Sequence, residues 1–275
     1  MKTYKQIVQE QSKYLREVTH IPQKEVEILI LHLVQENIIW LHLNYDKECL
    51  CELELEKLVT KRATHYPLEY ITSRASFYGE VFNVKEGVLI PRPETEILVE
   101  KAEAILKTIE KPKILEIGAG SGIISVMLAR LIKDINIVAV DINDKALELA
   151  KSNAIKHGVE DTITFIKSDL FENIIDLDFD MVISNPPYIA NNYKLPLNVK
   201  YEPSNALFGG NIGDELLKNI IIQTNQRNIK YLICEMGYDQ KNSLTEYINK
   251  QISVFKKLEF YKDYDGLNRG FILIY

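Results

Sequence analysis

The sequence predicts an α/β protein in which a small N-terminal helical bundle is joined by a β-hairpin to a parallel sheet covered by helices. Apolar residues between positions 4 and 64 fall at helical spacing, and the first glycine of the chain is Gly79. After Lys113, short apolar runs alternate with helical patterns, which is typical of βαβ units with helices on both faces of a sheet. The segment between these two parts alternates around a glycine, which indicates the hairpin.

The apolar runs and turn residues give approximate bounds for the elements. Strands are predicted at 113–117, 135–141, 162–167, 180–184, 230–235 and 270–275. Helices are predicted at 123–133, 145–157 and around 216–226, and a further helix starts with the acidic turn 94–96. In the hairpin region, residues 77–84 alternate around Gly79, and Gly87 marks a second turn before a strand at 88–90 that Pro91 and Pro93 stop. We therefore expect a helical domain at 1–74, a hairpin linker at 75–92 and a second domain at 93–275.

Composition and charge exclude several classes of protein. The chain has 275 residues, and its 46% hydrophobic content suffices to bury a full core. A net charge of −6 argues against a protein that binds duplex DNA through a basic face, so no stable nucleic-acid binding is expected. The first residues lack an apolar targeting segment, and no run approaches the ~18 apolar residues of a membrane span. Cys49, Cys51 and Cys234 form neither a disulfide framework nor a metal-binding pair, so we expect a cytoplasmic protein without a metal site.

The most informative motif is Asn185-Pro186-Pro187-Tyr188, which follows the apolar run 179–183. Two prolines cannot continue a strand, because each fixes φ and lacks an N–H donor. Asn185 is therefore expected at the carboxyl edge of a strand, where open α/β sheets bind ligands. There the Asn185 side-chain oxygen and the Pro186 carbonyl are suited to accept the two hydrogens of a planar NH2 group, and the ring of Tyr188 to stack on it or face a cation. We expect Asn185, Pro186 and Tyr188 to be catalytic, and all four residues to bind the substrate.

A second motif, at residues 114–122, is a strand that runs into three alternate glycines, Gly118, Gly120 and Gly122, and then into a helix. Glycine permits positive φ and close approach to a ligand, and the start of a helix offers free N–H groups. The spacing differs from the G-x-G-x-x-G of loops that bind NAD, and Glu116 stands two residues before the first glycine. Asp141 ends the next strand, where a carboxylate is placed to accept both hydroxyls of a ribose.

This glycine loop resembles that of Rossmann-type methyltransferases that use S-adenosyl-L-methionine. The resemblance implies that Glu116 holds the methionine part of this cofactor and that Asp169 contacts the adenine. The residues expected at the cofactor are Glu116, Gly118, Ala119, Gly120, Ser121, Gly122, Asp141, Asp169, Leu170 and Asn185. The Asn-Pro-Pro-Tyr motif resembles that of amino-methyltransferases that act on adenine, cytosine or glutamine nitrogens, and the motif alone does not choose among these.

A closer resemblance, over nearly the whole chain, is to the release-factor glutamine methyltransferases, the HemK-type family. The matching segments lie at 66–71, 77–79, 88–96, 182–189, 201–203, 206–213 and 265–269. The resemblance implies a Rossmann-like, seven-stranded, mostly parallel methyltransferase sheet. It also implies N5-methylation of the glutamine in the Gly-Gly-Gln loop of class I peptide chain release factors. The departures are mild: Glu116 stands where Asp is commoner, Ala119 replaces a frequent Thr, Ser73 lies where a Gly is frequent, and Leu170 occupies a position that can be aromatic.

Three other functions are weighed against this one. An adenine-N6 DNA methyltransferase uses the same motif on a flipped base, but it needs a basic recognition region that neither the charge nor the helical segment supplies. A binding module without catalysis is disfavoured by the intact glycines together with Asp141 and Asn185, and a dehydrogenase by the glycine spacing. Arg92 and Glu94 are suited to shape the entrance for the substrate, but a structural salt bridge and the charge of a helix start explain them nearly as well. These two residues and Glu202 therefore stay unassigned.

The N-terminal helices are expected to dock the substrate protein. A glutamine in a short loop offers little binding area, so recognition of a release factor needs a second surface.

Overall fold

A computed structural model describes residues 2–175 and 178–275, and the chain divides into two compact units. The first unit contains the chain up to Arg74 together with Leu195–Tyr201. The second contains Ala75–Lys194 and Glu202–Tyr275. Met1, where the predicted helical domain starts, and residues 176 and 177 of the predicted second domain lie outside the described residues.

The first unit is helical, as its spacing predicts. Its helices are α1 (Tyr4–Gln11), α2 (Pro22–Val34), α3 (Ile38–Leu43), α4 (Glu52–Ala63) and α5 (Leu68–Thr72). Local chemistry starts them: Thr3 and Gln6 form a capping box at α1, Pro22 occupies the first turn of α2, and the Asn37 side chain accepts the N–H of Trp40 at α3. The core of this unit contains fully buried aliphatic side chains from several of these segments, namely Ile7, Leu15, Leu29, Ile30, Leu41 and Leu55.

The β-hairpin is present, but it is shorter than predicted. Strands β1 (Arg74–Phe77) and β2 (Glu80–Asn83) pair around the turn at Tyr78 and Gly79. The prediction of a strand at 88–90 is wrong. Val88 and Ile90 are buried there, but the Ile90 N–H donates to Glu202 Oε2 at 3.0 Å instead of entering a strand ladder. The alternating pattern at 88–90 thus reflects buried apolar side chains in a segment that pairs with no strand.

The second unit alternates helices and strands, as predicted. Its helices are α6 (Thr95–Leu106), α7 (Ile123–Leu131), α8 (Asp144–Lys156), α9 (Glu215–Gln226) and α10 (Lys241–Gln251). Its strands are β3 (Lys113–Ile117), β4 (Asn136–Asp141), β5 (Ile163–Lys167), β6 (Met181–Ser184), β7 (Ile189–Ala190), β8 (Phe208–Gly210), β9 (Tyr231–Glu235), β10 (Lys257–Lys262) and β11 (Asn268–Ile274). Helix α10 and strand β10 were not placed from the local sequence pattern.

Within the described residues, the central sheet has seven strands in the order β10-β11-β9-β6-β3-β4-β5. Neighbours from β9 to β5 pair in parallel, and β11 runs antiparallel to both β9 and β10. This confirms the seven-stranded, mostly parallel sheet. Two apolar clusters cover its faces, and adjacent residues of β3 belong to different clusters, Ile114 to one and Leu115 to the other.

Among the described residues, each helix is too short or too polar to span a lipid bilayer.

Candidate active site

The two predicted motifs leave adjacent strands at the same edge of the sheet. Ile117, the last residue of β3, pairs with Ser184, the last residue of β6. The Ser184 Oγ donates to the Ile117 carbonyl at 2.7 Å. The next residues, Gly118 and Asn185, therefore start the two loops side by side. The chain continues from β3 to β4 on one side while β6 lies on the other, and such a switch point is where open α/β sheets bind ligands.

Two cavities at this edge bring together most of the predicted site residues. The larger is lined by Gly118, Gly120, Asp141, Asp169, Leu170, Asn185, Pro186 and Pro187 among others. The smaller shares Gly118, Gly120 and Asn185 with it and adds Glu116, Ala119 and Ser121. Within the described residues, Gly122 and Tyr188 are the predicted site residues that line neither cavity.

The glycine loop is closed by hydrogen bonds within the protein. The N–H groups of Gly118 and Ala119 donate to the Val140 carbonyl at 2.8 and 2.9 Å. The N–H of Gly120 donates to Asp141 Oδ2 at 2.9 Å, and that of Gly122 to the Ala119 carbonyl. A loop that binds a pyrophosphate keeps its N–H groups for the ligand, so this arrangement suits a cofactor without one.

Gly122 has a packing role. It begins α7 with a φ of 81°, and an added Cβ would lie 2.9 Å from the Cβ of Ala150 on α8. The glycine therefore allows the loop to lie against α8.

Glu116 carries a carboxylate oxygen that is ready for a ligand. Its side chain is fully buried, and its Oε2 accepts the N–H of Ser125 at 3.1 Å and also the Ser125 hydroxyl. Its Oε1 is buried without a hydrogen-bond partner in the described residues. Burial raises the pKa of Glu116 to about 8, although the hydrogen bonds from Ser125 act in the opposite direction. An unpartnered buried carboxylate oxygen fits the ammonium of the methionine part of S-adenosyl-L-methionine.

The contact to Ser125 also changes one expectation. The start of α7 was expected to offer free N–H groups to a ligand, but the Ser125 N–H binds Glu116. Glu116, on β3, thus accepts a hydrogen bond from the first turn of α7 and also lines the smaller cavity.

Asp141 presents its carboxylate at the larger cavity. Its Oδ2 accepts the N–H of Gly120 at 2.9 Å, its Oδ1 accepts the N–H of Asn143 at 2.8 Å, and the Ile142 backbone also donates to the carboxylate. Burial raises its pKa, and the backbone hydrogen bonds oppose this shift. Asn143 caps α8 by accepting the N–H of Lys145. Asn143, and not Asp141, is therefore the residue that caps α8, and the carboxylate of Asp141 remains suited to bind the two hydroxyls of a ribose.

Asn185 belongs to a buried hydrogen-bond network. Its Nδ2 donates to Thr95 Oγ1 at 3.0 Å, and the Thr95 hydroxyl donates to Glu235 Oε2 at 2.8 Å. The Tyr188 hydroxyl donates to the other oxygen, Glu235 Oε1, at 3.0 Å. The structure therefore directs the hydroxyl of Tyr188 to Glu235, and stacking of its ring on a substrate stays a prediction.

Two members of this network, Thr95 and Glu235, are not among the site residues that the sequence predicts. A signal for Glu235 is present in the sequence: it ends an apolar strand with an acid, as Asp141 does, and parallel strands place their carboxyl ends at one edge. Thr95 gives no comparable signal, because a threonine at the start of a helix is ordinary.

Arg92 and Glu202 form an ion pair, with Glu202 buried and Arg92 about one-third exposed. Glu202 also accepts the Ile90 N–H, so it binds the segment that ends in Arg92 at two points. That segment lines the larger cavity through Gly87, Val88 and Leu89, and the Gly87 carbonyl accepts a hydrogen bond from Asn143 Nδ2. The pair therefore has a structural role at the cavity wall.

Comparison with known proteins relates both parts of the chain to methyltransferases. Residues 93–200 match the family model "Methyltransferase small domain", and residues 6–72 match "PrmC N-terminal domain". The chain is 32% identical to the release factor glutamine methyltransferase of Aquifex aeolicus, over 93% of this chain and 92% of that protein. It is 39% identical to the release factor glutamine methyltransferase of Fusobacterium nucleatum, over 79% of this chain and 62% of that protein.

Two further facts qualify these matches. The chain spans between 46% and 62% of the length of several curated relatives that it matches. Among solved structures, the N-terminal domain of human METTL16 in complex with SAH is similar, with a TM-score of 0.52 and 17% identity over 70% of this chain and 75% of that chain. This likeness shows the fold.

Proposed function

The chain belongs to the release factor glutamine methyltransferase family, and from this premise we propose that it methylates the side-chain nitrogen of a glutamine in a release factor. The methyl donor is S-adenosyl-L-methionine, and the target is N5 of the glutamine in the Gly-Gly-Gln loop of a class I peptide chain release factor. The observation that carries the proposal is the adjacency of Asn185 and the glycine loop at the edge of the sheet.

The chain's own residues hold the two reactants. Glu116 Oε1 accepts the ammonium of the donor, and the Asp141 carboxylate accepts its ribose hydroxyls. Asp169 and Leu170 border the same cavity, where the adenine is proposed to lie. When bound, the cofactor supplies a methyl group on a sulfonium, which is already a strong electrophile. The protein's task is therefore orientation of the nucleophile rather than activation of the donor.

Asn185 and Pro186 orient the substrate nitrogen. The Nδ2 of Asn185 is bound to Thr95, so its Oδ1 is the amide atom left for a donor in the cavity. We propose that Oδ1 and the Pro186 carbonyl accept the two hydrogens of the glutamine NH2 group. These acceptors favour positive charge on the nitrogen as the new bond forms. The methylated amide nitrogen is strongly acidic and releases its proton to water, so no strong base is required.

The alternative of an adenine-N6 DNA methyltransferase is not favoured. Three relatives that align over 88% to 92% of their own length are release factor glutamine methyltransferases. The expectations of a cytoplasmic location and of no stable nucleic-acid binding stay predictions, and both suit an enzyme that acts on a translation factor.

The proposal is tested with radiolabelled S-adenosyl-L-methionine and three acceptors: a purified class I release factor, the same factor with its Gly-Gly-Gln glutamine changed to alanine, and unmethylated DNA. Label should enter the first acceptor alone. Asn185→Ala should still bind the cofactor but transfer the methyl group at least ~100-fold more slowly. Label in DNA, or equal label in the glutamine variant, would count against the proposal.

A further inference from the structure

We infer that Glu235 is a positioning residue that determines which end of the Asn185 amide faces the substrate, acting through Thr95. The inference rests on the proposed function of Asn185 as the acceptor for the substrate NH2 group. It assigns a role to a buried acid that makes no contact with the reacting atoms.

The sheet brings these residues together. Ser184, the last residue of β6, pairs in parallel with Cys234 of β9. The residues that follow them, Asn185 and the last strand residue Glu235, therefore lie next to each other at the same edge of the sheet. Thr95, the first residue of α6, lies between them and is fully buried. The chain of donors runs from Asn185 Nδ2 to Thr95 Oγ1 over 3.0 Å and from the Thr95 hydroxyl to Glu235 Oε2 over 2.8 Å.

The number of available protons sets the direction of this chain. An ionised carboxylate only accepts hydrogen bonds, and a threonine hydroxyl has a single proton. Thr95 therefore gives its proton to Glu235 and has only lone pairs left for Asn185. Of the two ends of the Asn185 amide, only Nδ2 donates, so Nδ2 turns to Thr95 and Oδ1 turns to the cavity. The reversed amide would place two acceptor oxygens against each other in a buried position, which is costly.

Tyr188 completes the arrangement at the other carboxylate oxygen. Its hydroxyl donates to Glu235 Oε1 at 3.0 Å, so both oxygens of Glu235 have donors from the Asn-Pro-Pro-Tyr loop or from its partner Thr95. The carboxylate thus reaches both ends of the motif, Asn185 through Thr95 and Tyr188 directly. A neutral carboxylic acid here would carry a proton of its own, and the direction of the chain would no longer be fixed.

The groups around Glu235 set the pH at which it is ionised. Burial raises its pKa to about 7, whereas the hydrogen bonds from Thr95 and Tyr188 and the charge of Arg269 lower it and Glu94 raises it. The phenol of Tyr261 and the thiol of Cys234 are also close and are neutral at this pH. Arg269 is held by Asp263, with its Nη2 at 2.8 Å from Asp263 Oδ2. Above about pH 7, Glu235 is therefore mainly ionised, and this is the state in which it fixes the direction of the hydrogen bonds.

Two variants of Thr95 separate positioning from simple packing. Thr95→Val keeps the shape but removes the hydroxyl, and Thr95→Ser keeps the hydroxyl. We expect Thr95→Val to lower kcat by about 10- to 100-fold, with KM for the release factor and the affinity for S-adenosyl-L-methionine within about twofold of the wild type. Thr95→Ser should regain most of this loss. Equal kcat values for the two variants would overturn the inference.

Reversal of the hydrogen-bond direction gives a sharper test. In Asn185→Asp, two carboxylates compete for the single proton of Thr95, so transfer should be slow. Adding Glu235→Gln lets the new amide NH2 group donate to Thr95, whose own proton then goes to the carboxylate introduced at position 185. The double variant should therefore be at least about tenfold faster than Asn185→Asp alone. If both bind the cofactor and the double variant is no faster, the inference is wrong.

A spectroscopic readout separates this inference from the proposed function. The NMR signals of the two Asn185 Nδ2 protons are identified by their loss in Asn185→Ala. In the wild type, one of these protons should exchange slowly with water. In Thr95→Val, the same proton should exchange fast. If wild-type protein fails to label a release factor, the proposed function fails, and this NMR comparison still decides the orientation of Asn185. Fast exchange in both proteins would contradict the inference.

Discussion

The Ser184 Oγ donates a hydrogen bond to the Ile117 carbonyl at 2.7 Å, and this bond joins the two strands from which the glycine loop and the Asn-Pro-Pro-Tyr loop begin. Both residues are buried. The distance between the cofactor loop and the substrate loop is therefore set by a contact inside the sheet rather than by either loop.

Ser184→Ala should disturb this spacing. The Ile117 carbonyl loses a buried donor, so we expect a loss of about 1–2 kcal/mol in the free energy of unfolding and a fall of several-fold in kcat. The control is Thr224→Val on α9, where a buried hydroxyl donates to the Ile220 carbonyl at 2.8 Å. Denaturant unfolding and turnover are measured for both variants. Ser184→Ala should lose more kcat than Thr224→Val for the same loss of unfolding free energy. The prediction fails if the ratio of the two losses is the same in both variants.

The affinity for S-adenosyl-L-methionine should depend on pH through Glu116. Burial raises the pKa of this acid to about 8, and its ionised form is the one that binds an ammonium. The affinity should therefore rise towards about pH 8, by at most about tenfold per pH unit, and fall again at higher pH, where the α-ammonium of the cofactor loses its proton. Calorimetric titration at several pH values measures this.

Glu116→Gln should weaken cofactor binding by about tenfold or more and flatten its pH dependence. Glu148→Gln is the control, since the Glu148 side chain is 70% exposed on α8. An unchanged pH profile in Glu116→Gln would show that another group controls binding.

Two glycines with similar φ but different surroundings test the packing of the glycine loop. Gly122→Ala combines a φ of 81° with a Cβ at 2.9 Å from Ala150 Cβ, so it should cost about 2–4 kcal/mol of stability. Gly79→Ala has a φ of 75° but no atom within 4 Å of the added Cβ, so it should cost only about 1–2 kcal/mol. Unfolding in urea compares them, and an equal loss would mean that contact with α8 is unimportant.

The N-terminal helical unit is proposed to dock the release factor, and it exposes apolar side chains suited to this. Ile39 and Leu43, four residues apart on α3, are 67% and 78% exposed. Changing both to glutamate should raise KM for the release factor about tenfold or more and leave cofactor binding unchanged. Ile155→Glu, at a 64% exposed position on α8, is the control. A matching rise in KM for that control would argue against docking through α3.

The sequence predicted the central strands well, because a strand buried on both faces is a continuous apolar run. The central strand β3 has the predicted bounds. The edge strand β5 is only partly buried, and its predicted bounds differ by one residue. Helix α10 gives a weak signal because it is mostly polar, with Leu244 and Ile248 as its buried residues. Strand β10 is short, and three of its six residues are charged.

The errors and omissions near the site have a common physical cause, which is contact between distant positions. The segment 88–90 has a strand-like pattern, but the Ile90 N–H finds Glu202, 112 residues away. The Tyr188 hydroxyl binds Glu235, 47 residues away, which the motif does not predict, and the stacking of its ring on a substrate stays a prediction. Such partners depend on how distant segments of the chain fold together, which a local pattern does not contain.

The most direct test of the central claim is the identity of the methylated atom. A class I release factor is incubated with the protein and S-adenosyl-L-methionine, and its Gly-Gly-Gln peptide is then fragmented in a mass spectrometer. The account predicts a single added methyl group on the side-chain nitrogen of that glutamine, formed by the wild type and absent with Asn185→Ala. A methyl group on another residue would contradict the account, and so would an unmodified glutamine after long incubation with an excess of enzyme and cofactor.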